Sequence, residues 1–262
     1  MRIVLVTVNK SIYASGIIDT LIRSRHNDIV GIVTSSKRTH SAKPLIESAI
    51  HELQFNGCRD FIVLGLLHLR RIAMDSIRHV LPVRSFYSTE AVAEHYSIPF
   101  YPCQNINEPD FLEFLLHELN PDVIVSMQNP KIFKKTILGL PRLGCINVHP
   151  SLLPKYRGPA PIFWVLAYNE VETGVTVHYM DEKIDNGDII LQSRVTIRPE
   201  DTMHSLYRRV MSIGATLVLQ ALEQLEAGTV STTPNDVKEA TYYPYPSIEE
   251  GRSLRQSGRK IL

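Results

Sequence analysis

Apolar and polar positions fall in blocks along the chain, and the blocks switch between two periods. Ile3 to Val8 is almost continuously apolar, which predicts a strand covered on both faces. Ser11 then precedes Ile17, Ile18, Leu21 and Ile22 at helical spacing, so a helix capped by Ser11 is expected. Ile29 to Val33 predicts the second buried strand. Pro44 opens a helix with Leu45, Ile46, Ala49, Ile50 and Leu53 on one face, and Asn56-Gly57 is its stop signal. Phe61 to Leu64 reads as a third strand, followed by a helix to about Val80. Ser88 caps a short helix that ends before Ile98-Pro99. Asn107 to Asp110 open a helix with Phe111, Leu112, Leu115, Leu116 and Leu119 on one face, and Pro121 ends it. Val123 to Val125 and Cys145 to Val148 predict buried strands, and two more follow at about 174–180 and 188–197. A long helix over about 202–227 aligns Met203, Leu206, Val210, Ile213 and Leu217, and Gly228 stops it.

This alternation implies βαβ units. The expected fold is α/β: a Rossmann-like, doubly wound, mostly parallel sheet with helices on both faces. Sites in such sheets lie beyond the carboxyl ends of the strands. After Gly228 the composition turns to Thr, Tyr and Pro, then to Arg252, Arg255, Arg259 and Lys260. The expected organisation is one domain over 1–228 and a C-terminal extension over 229–262.

Composition narrows the classes. The chain has 262 residues, 44% hydrophobic and 21% charged, with a formal net charge of +1. That content can bury a core large enough to offset chain entropy, so disorder is excluded for the bulk. The longest apolar run, Phe61 to Leu67, is far short of the roughly 20 residues a bilayer needs, so no membrane partner is expected. The N-terminus reads as a first strand and not as a signal peptide. Near-zero charge argues against a dedicated nucleic-acid binder. The three cysteines, Cys58, Cys103 and Cys145, match neither zinc nor redox spacings. Free thiols in a reduced cytoplasm are expected, with no metal. A homodimer is compatible with all of this.

Chemistry concentrates in Leu143 to Pro161, LGCINVHPSLLPKYRGPAP. Residues two apart in a strand share a face, so Asn147 and His149 project together at the strand's carboxyl end. An amide donor beside an imidazole suits stabilisation of a negative oxygen. Taken singly, each residue has an ordinary structural explanation; the string as a whole carries the argument.

The string NVHPSLLPKYRG resembles the hallmark of the formyltransferases that use 10-formyltetrahydrofolate. A second block, ETGVTVHYMDEKIDNGDII, resembles that family's next hallmark. The resemblance covers about residues 1–228 and implies catalytic roles for Asn147, His149 and Asp185. Formyl transfer to an amine develops an oxyanion, to which Asn147 and a protonated His149 would donate. Asp185 would hold His149 charged and accept or relay the amine proton. Asp185-Asn186-Gly187 is a tight-turn sequence that would fix the carboxylate. Asp181 and Asp188 are nearby alternatives, more simply read as solvated or capping.

The resemblance also implies a pterin site along Ser126, Met127, Gln128 and Asn129, with Ile132 and Phe133 as apolar surface and the Asp181–Asp185 turn opposite. Relatives carry an Ala-Tyr-Gly type of segment where this chain has Ser126 to Asn129, so backbone contacts are the firmer expectation there.

Three acceptor classes are known for such enzymes. The purine-pathway enzymes have a glycine-rich phosphate loop after the first strand; here Thr7 to Tyr13 holds no glycine. The methionyl-tRNA enzymes carry a C-terminal barrel, for which 229–262 is short, although Lys37, Arg38 and Lys43 form a modest basic loop. Enzymes acting on nucleotide-linked amino sugars fit the length best. A small amine is therefore the expected acceptor, with tRNA not excluded, and the basic tail is expected to be dispensable. A formyltetrahydrofolate hydrolase is the further alternative. It resembles chains with an N-terminal regulatory domain, whereas this chain starts at the first strand. The segment 57–90 is longer than in relatives and is read as a pocket wall or a structural insertion.

Overall fold

The computed structural model describes residues 1–11, 13–35, 43–77 and 86–262, with the side chains of 43–46 excepted. Seven strands form one sheet in the order β3-β2-β1-β4-β5-β6-β7. They are β1 (Ile3–Thr7), β2 (Ile29–Ser35), β3 (Phe100–Cys103), β4 (Val123–Met127), β5 (Cys145–His149), β6 (Glu172–Tyr179) and β7 (Ile189–Thr196). The first five pair in parallel; β6 is antiparallel to β5, and β7 to β6. Strand order reverses at β1, whose neighbours are β2 and β4. That reversal opens a crevice at the carboxyl ends of β1 and β4.

Alternation within the strands divides the core in two. Ile3 and Leu5 of β1, Val123, Val125 and Met127 of β4, and Ile146 and Val148 of β5 face one layer. That layer contains α1 (Ala14–Arg25), α6 (Pro161–Ala167) and α7 (Met203–Ala227). Val4, Val6, Ile124 and Cys145 face the other, with Phe133, Leu115 and Ile137. The α7 helix begins at a Thr202–Ser205 capping box and ends where Gly228 turns left-handed at φ 66°. The three cysteines are free. No described helix is long and apolar enough to cross a membrane.

Three local expectations are corrected. Phe61 to Leu64 is helix and not strand. One helix, α2 (Lys43–Ile77), is broken at Gly57 (φ 79°, ψ 162°) and resumes at once. Ile62, Leu66 and Leu69 recur at helical spacing along its second half, and all three are exposed. In its first half Ile50 and Leu53 are exposed as well, so the face predicted there is not a core face. Val80, the expected end of this helix, lies outside the described residues, as do Lys37 and Arg38.

The second correction is β3, which pattern alone misses. Its Pro102 is tolerated because β3 is the sheet edge. Third, the helix after Asn107 is α4 (Pro109–Phe114) followed by a π turn, Leu115–Leu119, closed by left-handed Asn120. The wider turn rotates Leu116 outward to 42% exposure while Leu115 and Leu119 stay buried. The remaining described helices are α3 (Thr89–His95, capped by Ser88), α5 (Lys135–Leu138) and α8 (Ile248–Gln256).

The segment 229–262 packs closely on the rest. Arg157 and Tyr243 exchange backbone hydrogen bonds with Thr241 and Arg157 at 2.9 and 3.0 Å. Ile261 is buried, and the carbonyls of Lys260 and Ile261 accept from the first two amides of α7 at 2.9 and 3.0 Å.

Candidate active site

Asn147 and His149 project from the carboxyl end of β5, on the sheet face opposite Ile146 and Val148. Asp185 follows β6 on a turn and reaches back to both. Its Oδ2 accepts from the Gly158 amide at 2.9 Å and lies 3.5 Å from His149 Nδ1. Its Oδ1 lies 3.4 Å from the Asn147 amide nitrogen. His149 Nε2 faces the Tyr156 carbonyl at 2.8 Å; a carbonyl only accepts, so this nitrogen carries a hydrogen. His149 is buried, with a side chain 6% exposed. When the ring is protonated, Nδ1 and Asp185 form an ion pair withdrawn from bulk water.

A second histidine completes the group. His178 lies opposite Asn147 in the β5–β6 register. Its Nδ1 faces the Tyr179 carbonyl at 2.7 Å, and its Nε2 lies 3.3 Å from the Asn147 amide nitrogen and 3.8 Å from Asp185 Oδ1. Burial pushes its pKa down to about 4, against the opposing pull of Asp185. His178 is therefore neutral near pH 7. It donates from Nδ1 and accepts the Asn147 amide at Nε2. Both Asn147 contacts are long for hydrogen bonds, so an N–H remains available to a stronger acceptor.

The Asp185 turn is held from three sides. Asp185 has φ 47°, a left-handed conformation that a non-glycine residue keeps only under constraint. Asp181 accepts from the Lys183 amide at 2.9 Å and the Asn186 side chain at 2.5 Å, closing the turn on itself. Gly187 lets the turn approach β6, because a Cβ there would sit 2.0 Å from the Tyr179 carbonyl oxygen. The outer clamp is Arg157 with Asn235. Arg157 donates to the side-chain oxygens of Asn186 and Asn235, each at 2.8 Å. Asn235 in turn donates to the carbonyls of Asp185 and Gly187 at 3.0 and 3.1 Å.

In front of this cluster opens a cavity of about 820 Å³. Ser126 and Gln128 at the end of β4, and Ile132 beyond it, form one wall; Phe133 borders the cavity too, but its side chain is fully buried in the core layer with Val4 and Val6 and offers little of the expected apolar surface. Asp181 to Asp185 form the opposite wall, with Met180 and Ile184 supplying apolar surface. Met127 is corrected: its side chain is fully buried in the layer on the other side of the sheet, leaving only its backbone at this end. Gln128 and Asn129 act partly as braces. Gln128 accepts from Ser11 at 2.9 Å and donates to Tyr207, while Asn129 accepts from Ser35 at 2.6 Å.

Residues 1–222 match the family model described as formyl transferase. The chain belongs to that family. The methionyl-tRNA formyltransferase of Syntrophus aciditrophicus is 45% identical over 159 residues, covering 61% of this chain and 51% of that protein. The enzyme of the same name from Blochmanniella pennsylvanica is 36% identical over 218 residues, covering 79% and 66%. The match thus spans about half the length of the first of these relatives. An N-formyltransferase from Helicobacter canadensis, solved with folinic acid and dTDP-3-aminofucose, superposes with TM-score 0.61 at 17% identity, covering 97% of this chain and 80% of that one. Glycinamide ribonucleotide transformylase 1 from Symbiobacterium toebii gives 0.61 at 16%, covering 90% and 94%. At such identities these structures share the fold of the family member described here.

Reading the sequence missed several residues at this site. His178 stood inside the second hallmark block, but its role depends on the β5–β6 register. Tyr13, Tyr207 and Tyr245 also line the cavity, the last from the 229–262 segment. Nothing in the local pattern of Asn235 marks it as a brace for a turn 50 residues earlier.

Proposed function

We propose that this chain transfers a formyl group from a 10-formyltetrahydrofolate donor to a primary amine. The observation that carries this reading is the convergence of Asn147, His149 and Asp185 at the mouth of the 820 Å³ cavity. The donor is a substrate that supplies the one-carbon unit. A flat heterocycle fits the cavity, where Ile132 and Ile184 present partly exposed apolar surface (56% and 41%) on facing walls. Ser126, Gln128, Asn129, Ile132, Phe133 and Asp181 are the proposed contacts, together with the Met127 backbone.

An amine adding to a formyl carbon pushes charge onto the carbonyl oxygen. Asn147, through an N–H now in long contacts, is one donor to that oxygen; His149 as imidazolium is the other, through the Nδ1–H whose 3.5 Å contact to Asp185 is likewise long, because Nε2–H is held by the Tyr156 carbonyl. One such donor contributes on the order of 10²–10³ in rate. The amine must also lose a proton; Asp185 is the acceptor, directly or through water, and as the tetrahedral adduct collapses the formyl C–N10 bond breaks and that proton passes to N10 of the departing tetrahydrofolate. His178, neutral and buried, orients Asn147. The active domain is read as 1–228, and Tyr242, Pro244 and Tyr245 of the 229–262 segment add to the cavity lining.

The acceptor is read as a small amine, such as a nucleotide-linked amino sugar. Initiator methionyl-tRNA is the second reading, favoured by the 45% identity to a methionyl-tRNA formyltransferase. The donor half is tested by calorimetry with folinic acid, a stable folate analogue. Saturable binding that weakens when Ile132→Asp is introduced supports it; no heat of binding at millimolar analogue refutes it.

A further inference from the structure

A second cavity, of about 750 Å³, shares Tyr13 with the first. It lies between α1, the half of α2 after the Gly57 break, and the start of α7. Arg70, Arg71 and Arg208 line it, with His204 beside them and Asp19 as the only carboxylate in the described lining. Asp19 is engaged by the Tyr96 hydroxyl at 2.8 Å. Arg71 is half-buried and donates to Ser15 Oγ and the Phe86 carbonyl at 2.8 and 2.7 Å.

Three guanidiniums against one carboxylate is an unbalanced lining. Burial depresses the Arg71 pKa, with Asp75 opposing and Arg208 adding to the depression. Burial also lowers His204, and Arg208 and Arg71 push it further the same way. Arg71 and His204 thus both feel the positive field of Arg208. Crowded cations facing a cavity cost free energy that an anion placed between them recovers. Planar guanidinium forks match phosphate oxygens in pairs. The volume exceeds that of a bare phosphate and lies in the range of small-ligand sites.

We propose that this cavity is a phosphate-binding site, taking the phosphate ester or diphosphate of a small molecule between Arg70, Arg71 and Arg208. Its ligand is coupled to the reaction site through Tyr13. That ring packs on Tyr207 with centroids 4.2 Å apart, and its hydroxyl meets His204 Nδ1 at 3.1 Å. Tyr207 in turn holds Gln128 at the end of β4. The half of α2 after the Gly57 break, which supplies Arg70 and Arg71, thereby has a use. Two sources share this chemistry: the phosphate of the amine acceptor itself, or a separate phosphorylated effector. Only the first rests on the formyl-transfer reading.

The test titrates the full chain with inorganic pyrophosphate by calorimetry at low salt. Saturable binding near one equivalent is expected, weakening as salt is raised. Arg70→Gln with Arg208→Gln, both at exposed positions, should weaken it at least about tenfold, because charge-assisted contacts are lost. Gly16 lines the cavity with open space where a Cβ would point, so Gly16→Glu places a carboxylate there without a clash and should abolish binding. Asn147→Ala should bind pyrophosphate as the native chain does. No saturable binding, or equal affinity in the native chain and both cavity variants, overturns the proposal. Because binding is read directly, the result stands even if no amine is formylated. Where an amine is formylated, inhibition by pyrophosphate competitive with that amine identifies the acceptor's phosphate as ligand. A non-competitive pattern identifies a separate effector.

Discussion

At the scale of single residues, the account turns on atoms in and around one carboxylate. Asn147→Ala or His149→Ala should each reduce turnover at least about 100-fold with the fold intact, since each removes a donor to the developing oxyanion. Steady-state rates beside circular dichroism check this; retention of half the turnover would contradict it. His178 makes a prediction in stability. Its folded pKa, about 4, lies below the ordinary 6.5, so between those values the unfolded chain binds a proton that the folded chain refuses. Stability therefore falls as pH drops through that window, by up to about 3 kcal/mol from this residue. Urea denaturation at pH 7 and pH 4.5 measures the fall, and His178→Gln should flatten it. Strand periodicity puts Asn147 and His149 on one face, while their roles, and the choice of Asp185 over Asp181 and Asp188, come from the resemblance to the formyltransferase hallmark blocks. His178 and Asn235 were not legible, because their roles come from register and from contacts across 50 residues of chain.

At the scale of elements, the Asp185 turn is built by the loop after β5 and by the 229–262 segment together. Asn235→Ala removes both donors to the turn carbonyls while leaving the reacting groups in place. We expect kcat to fall about tenfold with the KM for the formyl donor nearly unchanged; a rise in KM with kcat preserved would assign Asn235 to binding instead. The basic tail is bound up with the fold in the same way. The Lys260 and Ile261 carbonyls cap α7, and Leu254 and Ile261 are buried. Deleting 252–262 exposes that surface and should lower the melting temperature by several degrees, a stability effect separate from any acceptor contact. Pattern reading found the long elements, such as α7 and β1, because their burial is uniform along a face. It found the helix after Pro44 and its break at Gly57, but failed at Phe61–Leu64 and on the predicted core face, because both halves of α2 carry apolar residues that remain exposed and so mimic a core signal. It failed at β3, where two prolines obscure a strand that the sheet edge accommodates.

Across the whole molecule, the fold gathers Asn147, His149, His178 and Asp185 at the carboxyl end of β5 and the turn after β6, close to the point where strand order reverses. It sets a polar, cation-lined cavity behind Tyr13. The most direct test of this account is an assay of 10-formyltetrahydrofolate consumption by the full chain. The assay runs against charged initiator tRNA and a panel of nucleotide-linked 3- and 4-amino sugars, with Asn147→Ala and His149→Ala in parallel. The account predicts amine-dependent release of tetrahydrofolate and a formylated small amine, both at least about 100-fold slower in the two variants. Efficient tRNA formylation with every sugar inert would contradict the acceptor reading alone. Donor consumption that is independent of any amine, or unaffected by either substitution, would contradict formyl transfer by this site.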